Sequence, residues 1–299
     1  MKGMITSIQR FSLNDGDGIR TTVFFKGCNM RCSWCHNPET ICNGRELMFY
    51  ETKCIGCGKC FANCPNGAHQ IVNGQHVIDR KLCINCGICA DSCYAQALVM
   101  CGTEMSIEEL MKEIRQDKAY YQSSGGGVTL SGGEVLCQRD FAIALCEACH
   151  KEEIPVAVET NLCFSYEYAR ELLEKVDLIM CDLKIFDKEA HKLHTGVTNE
   201  MILDNIRKLD QLGIPVIVRT PLIPGATDTQ ENLTSITAYI KNLQNLRRYE
   251  VLNFNPLGAG KYKSLDRANA FESSRPFGEE KLAEVEAILK TAGIPYKIV

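Results

Sequence analysis

The chain has 299 residues, 45% of them apolar and 23% charged, with a net charge of −4. That is globular composition, and the absence of any block of like charges argues against a nucleic-acid surface or a basic membrane patch. No apolar run approaches the roughly 18 residues of a bilayer span, and the N-terminal MKGMITSIQRFSLNDGDGIR lacks the apolar core of a secretory signal, so a cytoplasmic location is expected, with neither nucleic acid nor membrane as partner.

The first predicted strand covers 20–26 (RTTVFFK) and runs into Cys28, Cys32 and Cys35. Residues 45–103 then break the pattern with two halves of similar design, KCIGCGKCFANCPNGAHQIV and LCINCGICADSCYAQALVM. Their first cysteines are 29 residues apart, an internal duplication that reads as a small inserted domain. From about residue 104, helices alternate with β-branched runs. Helix 105–121 precedes strand 127–131, helix 139–152 precedes strand 155–159, and helix 165–175 precedes strand 176–182. Helix 200–212, strand 214–220, helix 229–245, strand 249–254 and helix 278–292 complete the series. Six β/α units imply a parallel sheet with covering helices, too few to close an eight-stranded barrel. The expected fold is therefore α/β, a partial, open (β/α)6 barrel of the TIM type. Its parts are 1–44, with the first strand and cysteine loop, the insert 45–103, and the remaining barrel 104–299.

Eighteen cysteines are too many for a reducing compartment unless they bind metal or do redox chemistry. Each half of the insert carries C-x2-C-x2-C-x3-C, the bacterial ferredoxin run for two [4Fe–4S] clusters in which the fourth cysteine serves the other cluster. That pattern pairs Cys54, Cys57, Cys60 and Cys93 on one cluster and Cys64, Cys83, Cys86 and Cys89 on the other. Pro65 follows the first run as the pattern requires, whereas Tyr94 replaces the second proline. The alternative is a pair of zinc knuckles, which does not explain third cysteines at constant spacing. The first group, Cys28-x3-Cys32-x2-Cys35, offers three thiolates with only Cys42 nearby. Three ligands on a [4Fe–4S] cluster leave one iron open; the bland reading is zinc with Cys42 as fourth ligand.

The C-x3-C-x2-C run, with Trp34 before its last cysteine, resembles the radical S-adenosylmethionine superfamily, in which the amino and carboxylate groups of that cofactor chelate the open iron. The flanking residues narrow the resemblance. Asp15-Gly16-Asp17-Gly18-Ile19-Arg20, Cys35-His36-Asn37-Pro38-Glu39, Ser131-Gly132-Gly133-Glu134, Glu159-Thr160-Asn161, Asp182-Leu183-Lys184 and Asn255-Pro256-Leu257-Gly258 are similar to the activating enzymes of glycyl radical enzymes. The insert points to the subgroup that includes the activases of choline trimethylamine-lyase, glycerol dehydratase and 4-hydroxyphenylacetate decarboxylase.

The resemblance implies three [4Fe–4S] clusters, S-adenosylmethionine as cofactor, a glycyl radical enzyme as protein substrate, and flavodoxin or ferredoxin as electron donor. It places Cys28, Cys32 and Cys35 in catalysis. Trp34, Cys35, His36, Gly132, Gly133, Glu134, Asp182, Leu183 and Lys184 would serve the cofactor, and Glu159 and Thr160, with Met180 and Asp182, a monovalent cation (Na+ or K+) beside the cofactor carboxylate. Two departures stand out: Glu159 where the family commonly has aspartate, and Asn255 where relatives often present histidine. Asparagine can still hydrogen-bond the ribose or adenine but cannot titrate near neutrality. Three other readings remain: a radical enzyme acting on a small molecule or another peptide, an electron-transfer protein, and a zinc-bearing adaptor.

Overall fold

A computed structural model describes residues 1–299. Thirteen strands follow in chain order: β1 (Lys2–Ser12), β2 (Arg20–Phe25), β3 (Glu46–Phe49), β4 (His69–Val72), β5 (Gln75–Ile78), β6 (Leu98–Cys101), β7 (Thr103–Ser106), β8 (Gly127–Gly132), β9 (Val156–Thr160), β10 (Leu178–Asp182), β11 (Val216–Pro221), β12 (Leu246–Leu252) and β13 (Tyr296–Ile298). Nine form one open sheet in the order β13-β12-β11-β10-β9-β8-β2-β1-β7. Its seven strands from β2 to β13 pair in parallel, and β1 joins β2 and β7 antiparallel.

All six predicted strands of this sheet are present, and Pro155 and Pro215 sit just before β9 and β11, where a missing amide donor costs no ladder bond. The sequence reading missed three strands of this sheet and set no bounds for two helices, Lys188–Thr195 and Ala259–Ser264. Strand β1 precedes the first apolar run, and β7 and β13 are short edges of four and three residues. Helix Lys188–Thr195 is only eight residues long, started by Asp187, whose side chain accepts from the Ala190 amide, and ended by left-handed Gly196. The predicted helix 105–121 is divided into Ile107–Ile114 and Lys118–Ser124 by a tighter turn at Arg115–Asp117. Asp117 is the reason: its buried carboxylate accepts from Arg10 Nε at 2.9 Å and from the Thr21 hydroxyl at 2.7 Å, which holds that turn against the sheet.

The two faces of the strands differ in kind. Val128 and Leu130, Val156 and Val158, Ile179 and Cys181, and Val216 and Val218 point outward into the main core beneath the helices. Their neighbours point inward, where only Ala157, Leu178, Met180 and Ile217 make a small apolar plug. Above it the interior is polar, with Arg20, Ser131, Glu159, Asp182, Arg219 and Glu250. Strand β12 therefore starts earlier than predicted, at Leu246 rather than 249. Its charged Arg248 is housed inside, donating to Glu250 at 2.7 Å and to Asp17 at 2.7 Å.

Residues 46–101 form two antiparallel ribbons, β3 with β6 and β4 with β5, and two one-turn helices, Lys59–Asn63 and Ile88–Asp91. Each helix begins after a glycine in the left-handed region, Gly58 (φ 73°) and Gly87 (φ 90°), so the duplication extends to backbone conformation. The β4–β5 hairpin turns on Asn73-Gly74, both with positive φ, as a two-residue hairpin loop demands.

Leu130 lies fully buried on the outward face of the central strand β8. Leu130→Ala should lower unfolding stability by about 2–5 kcal/mol, measured by urea unfolding followed by circular dichroism; a loss under about 1 kcal/mol would contradict this account of the core.

Candidate active site

The loop after β2 carries the first cysteine group and is held at both ends. Gly27 and Cys28 donate their amides to the carbonyls of Thr40 and Ile41 at 2.6 and 3.1 Å, closing the loop's neck. Arg31 and Ser33 donate to the carbonyls of Thr195 and His194, both at 2.9 Å, strapping its tip to the end of helix Lys188–Thr195. The Cys35 amide donates to the Cys32 carbonyl at 3.1 Å, which turns the last two thiols together. Trp34 packs among Ile185, Ile223 and Phe254.

Cys28, Cys32 and Cys35 line a cavity of about 730 Å³ at the C-terminal ends of the parallel strands. Trp34, His36, Gly132, Gly133, Glu159, Thr160, Asp182, Lys184 and Asn255 line the same cavity, which brings together most of the residues singled out from the sequence. No fourth cysteine lines it. Cys42 lies elsewhere, its sulfur accepting from Arg267 at 3.3 Å, so the four-cysteine zinc alternative has no site. Burial pushes the Cys28 and Cys35 thiols up to about 12 and raises that of Cys32. Metal loading must therefore displace protons.

Two expected cofactor residues stand behind the wall. Leu183 is fully buried on the outward face of β10. The Glu134 side chain turns inward, accepting from the amides of Asn161 (2.7 Å) and Leu136 (3.0 Å) and from the Thr160 hydroxyl (2.8 Å). Burial raises its pKa to about 7 against those three donors. Glu134 thus joins the β8 loop to the β9 loop rather than facing the cavity. The glycines before it have a packing reason of their own. A Cβ on Gly132, at φ 119°, would overlap the Phe25 backbone, and one on Gly133 would overlap the Gly27 carbonyl oxygen. The Glu134 amide donates to that same carbonyl at 2.7 Å, so the cysteine loop and the Gly-Gly loop form one backbone unit.

The charged residues of the cavity are paired. Lys184 bonds Asp182; burial works against its ammonium, but Asp182 outweighs it and holds its pKa above the ordinary value. Glu159, half-buried, meets Arg219 at 3.0 Å and accepts from the Ser131 hydroxyl, and these partners hold its pKa below the ordinary value against the burial. Asn255 accepts from the Leu257 amide at 3.0 Å, which spends its carbonyl on a local turn and leaves its amide nitrogen to the cavity. Met180, expected beside the cation, is fully buried in the apolar plug and does not line the cavity.

Sequence reading missed Arg219 as a site residue. An arginine in an otherwise apolar strand run was the available signal. Arg219 also donates to Glu250 at 2.8 Å and to the Asn14 carbonyl at 2.6 Å, reaching across to the 13–19 loop at the cavity wall.

In the insert, Cys54, Cys57, Cys60 and Cys93 share one small cavity, and Cys64, Cys83, Cys86 and Cys89 another, with Cys89 touching both. His76 joins the first set and His69 the second, neither marked by the sequence reading.

The family model of the radical SAM superfamily matches residues 83–235, and that of the 4Fe-4S dicluster domain matches 53–98. The Cys28 loop lies before the first range, separated from its bulk by the insert. The (2S)-3-sulfopropanediol dehydratase activating enzyme of Klebsiella oxytoca is 41% identical over 88% of this chain and 85% of its own length. The benzylsuccinate synthase activating enzyme of Thauera aromatica is 38% identical over 99% and 92%, and the choline trimethylamine-lyase activating enzyme of Oleidesulfovibrio alaskensis 36% identical over 100% and 98%. A crystallised domain of pyruvate-formate lyase-activating enzyme from Bacteroides vulgatus superposes with a TM-score of 0.50 at 27% identity, covering 58% of this chain and 99% of that domain. With identities of this size over nearly the whole chain, it belongs to the glycyl radical enzyme activating enzymes of the radical SAM superfamily, iron–sulfur enzymes that cleave S-adenosylmethionine reductively and use the resulting 5′-deoxyadenosyl radical to take a hydrogen from a backbone glycine of a partner enzyme.

Proposed function

We propose that Cys28, Cys32 and Cys35 hold the catalytic [4Fe–4S] cluster and that the strand-end residues of the same cavity hold S-adenosylmethionine against its open iron. The observation that supports this most is the cavity itself: three cysteines without a fourth, facing a wall of paired acids and bases. The cluster and cofactor supply the radical chemistry when bound. The chain's own part is to orient and enclose. Gly132 and Gly133 offer backbone with no Cβ beside the cysteine loop, for the methionyl amino end. Lys184 and Arg219 are cations that a carboxylate can meet, and Asn255 keeps an amide for ribose or adenine. Trp34 and His36 close the side next to Cys35.

The wider reading places this site in a partial (β/α)6 barrel, residues 1–44 and 104–299, interrupted by a ferredoxin-like domain over 45–103. The residues of seven strands around one cavity, β1, β2 and β8 to β12, support a curled sheet. Three [4Fe–4S] clusters in all, about twelve irons per chain, follow from the two further cysteine sets.

The main test is anaerobic. Protein reconstituted with iron and sulfide and reduced with dithionite is given S-adenosylmethionine, beside a Cys32→Ala variant. We expect 5′-deoxyadenosine from the parent only, and a glycine-centred EPR signal once a matching glycyl radical enzyme is added. No product from a fully loaded parent would overturn the site.

An external reductant, flavodoxin or ferredoxin, would feed electrons through the insert. Cys57→Ala or Cys86→Ala should then slow turnover with a protein reductant several-fold while leaving S-adenosylmethionine binding intact. Unchanged rates in folded variants that lack those clusters would reject the relay.

A monovalent cation is the remaining part of the proposal. Glu159 and Asp182 carry the charge it would need, but each already has a cationic partner, Arg219 and Lys184, and Met180 stands away from the cavity. An added ion would compete with Lys184 for Asp182. Replacing Na+ and K+ by a bulky organic cation should therefore weaken S-adenosylmethionine binding by less than about tenfold, ~1.4 kcal/mol, in equilibrium binding. A larger loss would make the ion integral to the site.

A further inference from the structure

We infer that His76 is a positioning residue of the insert, donating a hydrogen bond to the Cys54 sulfur and so raising the reduction potential of the cluster on Cys54, Cys57, Cys60 and Cys93. This rests on the cluster assignment proposed above.

His76 lies on β5 with its ring held between Phe49 and Phe61, whose centroids are 4.5 and 4.9 Å away. Its Nδ1 is 3.9 Å from Cys54 Sγ, and its Nε2 is 4.0 Å from Cys60 Sγ. Nε2 also lies 2.9 Å from Nδ1 of His69, which is buried. Two ring nitrogens at that distance share one proton. If it sat on His76, the Nδ1 of a neutral His76 would be bare and would face an electron-rich thiolate. If it sits on His69, His69 donates to His76 Nε2 and the His76 proton moves to Nδ1, aimed at Cys54. Only the second arrangement gives every atom a complementary partner once Cys54 is a cluster thiolate. The relay is therefore His69 Nδ1–H to His76 Nε2, and His76 Nδ1–H to Cys54 Sγ, with two phenyl rings keeping the imidazole in place.

In the other cluster cavity the donor to a ligand sulfur is backbone, the Ala68 amide to Cys64 Sγ at 3.3 Å. The duplication places Leu47 at the position equivalent to His76, 29 residues earlier, and Leu47 lines the second cavity as a buried aliphatic side chain. Asn85 Oδ1 lies 3.8 Å from the Cys83 sulfur, an acceptor tied to the Leu47 amide at 3.0 Å. A hydrogen bond to a ligating sulfur stabilises the reduced, more negative cluster, and a bare oxygen does not. The two duplicated sites thus use different donors, a backbone amide in one and the His76 ring in the other.

The experiment is an EPR-monitored redox titration of the reconstituted full chain, with iron counted in every sample. His76→Phe keeps a ring in the aromatic pocket and removes the donor. His76→Gln restores an amide N–H. One midpoint should fall in His76→Phe, leaving about tenfold less of that cluster reduced at a fixed poise (59 mV for a one-electron couple), and should return toward the parent value in His76→Gln. The other midpoints should stay. A full iron count with no midpoint moved in His76→Phe would overturn the inference while leaving the cluster assignment standing. A parent whose iron count does not fall when Cys54 is replaced by Ala would remove the assignment itself, and the inference with it.

Discussion

The buried guanidinium of Arg219 is the constraint around which the polar inner face of the sheet is arranged. It reaches Glu159 on one side, Glu250 on the other and the Asn14 carbonyl above. Glu250 passes the charge to Arg248, and Arg248 to Asp17. An isolated ion in such a place would be prohibitive, and removing one partner of a buried pair typically costs about 3–5 kcal/mol. The chain instead alternates sign from strand β9 through β11 and β12 to the 13–19 loop. This ladder lets a parallel sheet keep a polar interior, which a cofactor carrying a carboxylate, an ammonium and a ribose requires. It also ties the loop after β1 to the floor of the site, so the cavity wall and the cofactor groups share one electrostatic frame.

The same economy governs the backbone. The first cysteine loop and the Gly-Gly loop meet at the Gly27 carbonyl, which accepts the Glu134 amide where any side chain on Gly133 would collide. Glu134 then reaches to Thr160 and Asn161, and Asn161 donates to Asn29 at 2.8 Å, back on the cysteine loop. Three successive strand-end loops therefore form a closed cycle of hydrogen bonds. This cycle removes the freedom of the first cysteine loop to shift against the strand ends. Outside it, the apolar faces of the strands need only pack helices, an ordinary task for Val, Leu and Ile.

Much of this was legible in the sequence because it depends on spacing. Cysteine runs at fixed intervals report ligation, and alternating β-branched and amphipathic segments report a parallel sheet; both survive without knowledge of tertiary contacts. What stayed hidden depends on direction. The strand end at Glu134 suggested a cofactor contact, but its side chain folds inward because three donors converge there. Met180 sits two residues before Asp182 on the same inward face, yet lies deeper, in the plug. His76 gave no sign, since a single histidine on a short hairpin acquires meaning only when the fold sets it against cysteines 16 and 22 residues earlier in the chain. Strands β1, β7 and β13 are edges or near-edges with little apolar content to announce them.

The position of the insert follows from these contacts. It leaves the core after the first cysteine loop and returns through β6, so both its ends meet at Lys26, just past β2. Glu46, at the start of β3, meets buried Lys26 at 2.9 Å and also Arg267. From the far side, Arg80 donates to the Ser264 carbonyl at 3.0 Å and to Asp266 at 2.7 Å. The helix that ends at Ser264 carries Lys261, which bonds Asn37 and Glu39 of the first cysteine loop, both at 2.6 Å. One short helix thus braces the insert and the first cysteine loop together. A flexible tether would let the two cysteine-bearing parts move apart, whereas charged clamps at Glu46, Arg80 and Lys261 hold them against a common support. The insert lines no part of the large cavity, yet it shares the supports of the loop that does.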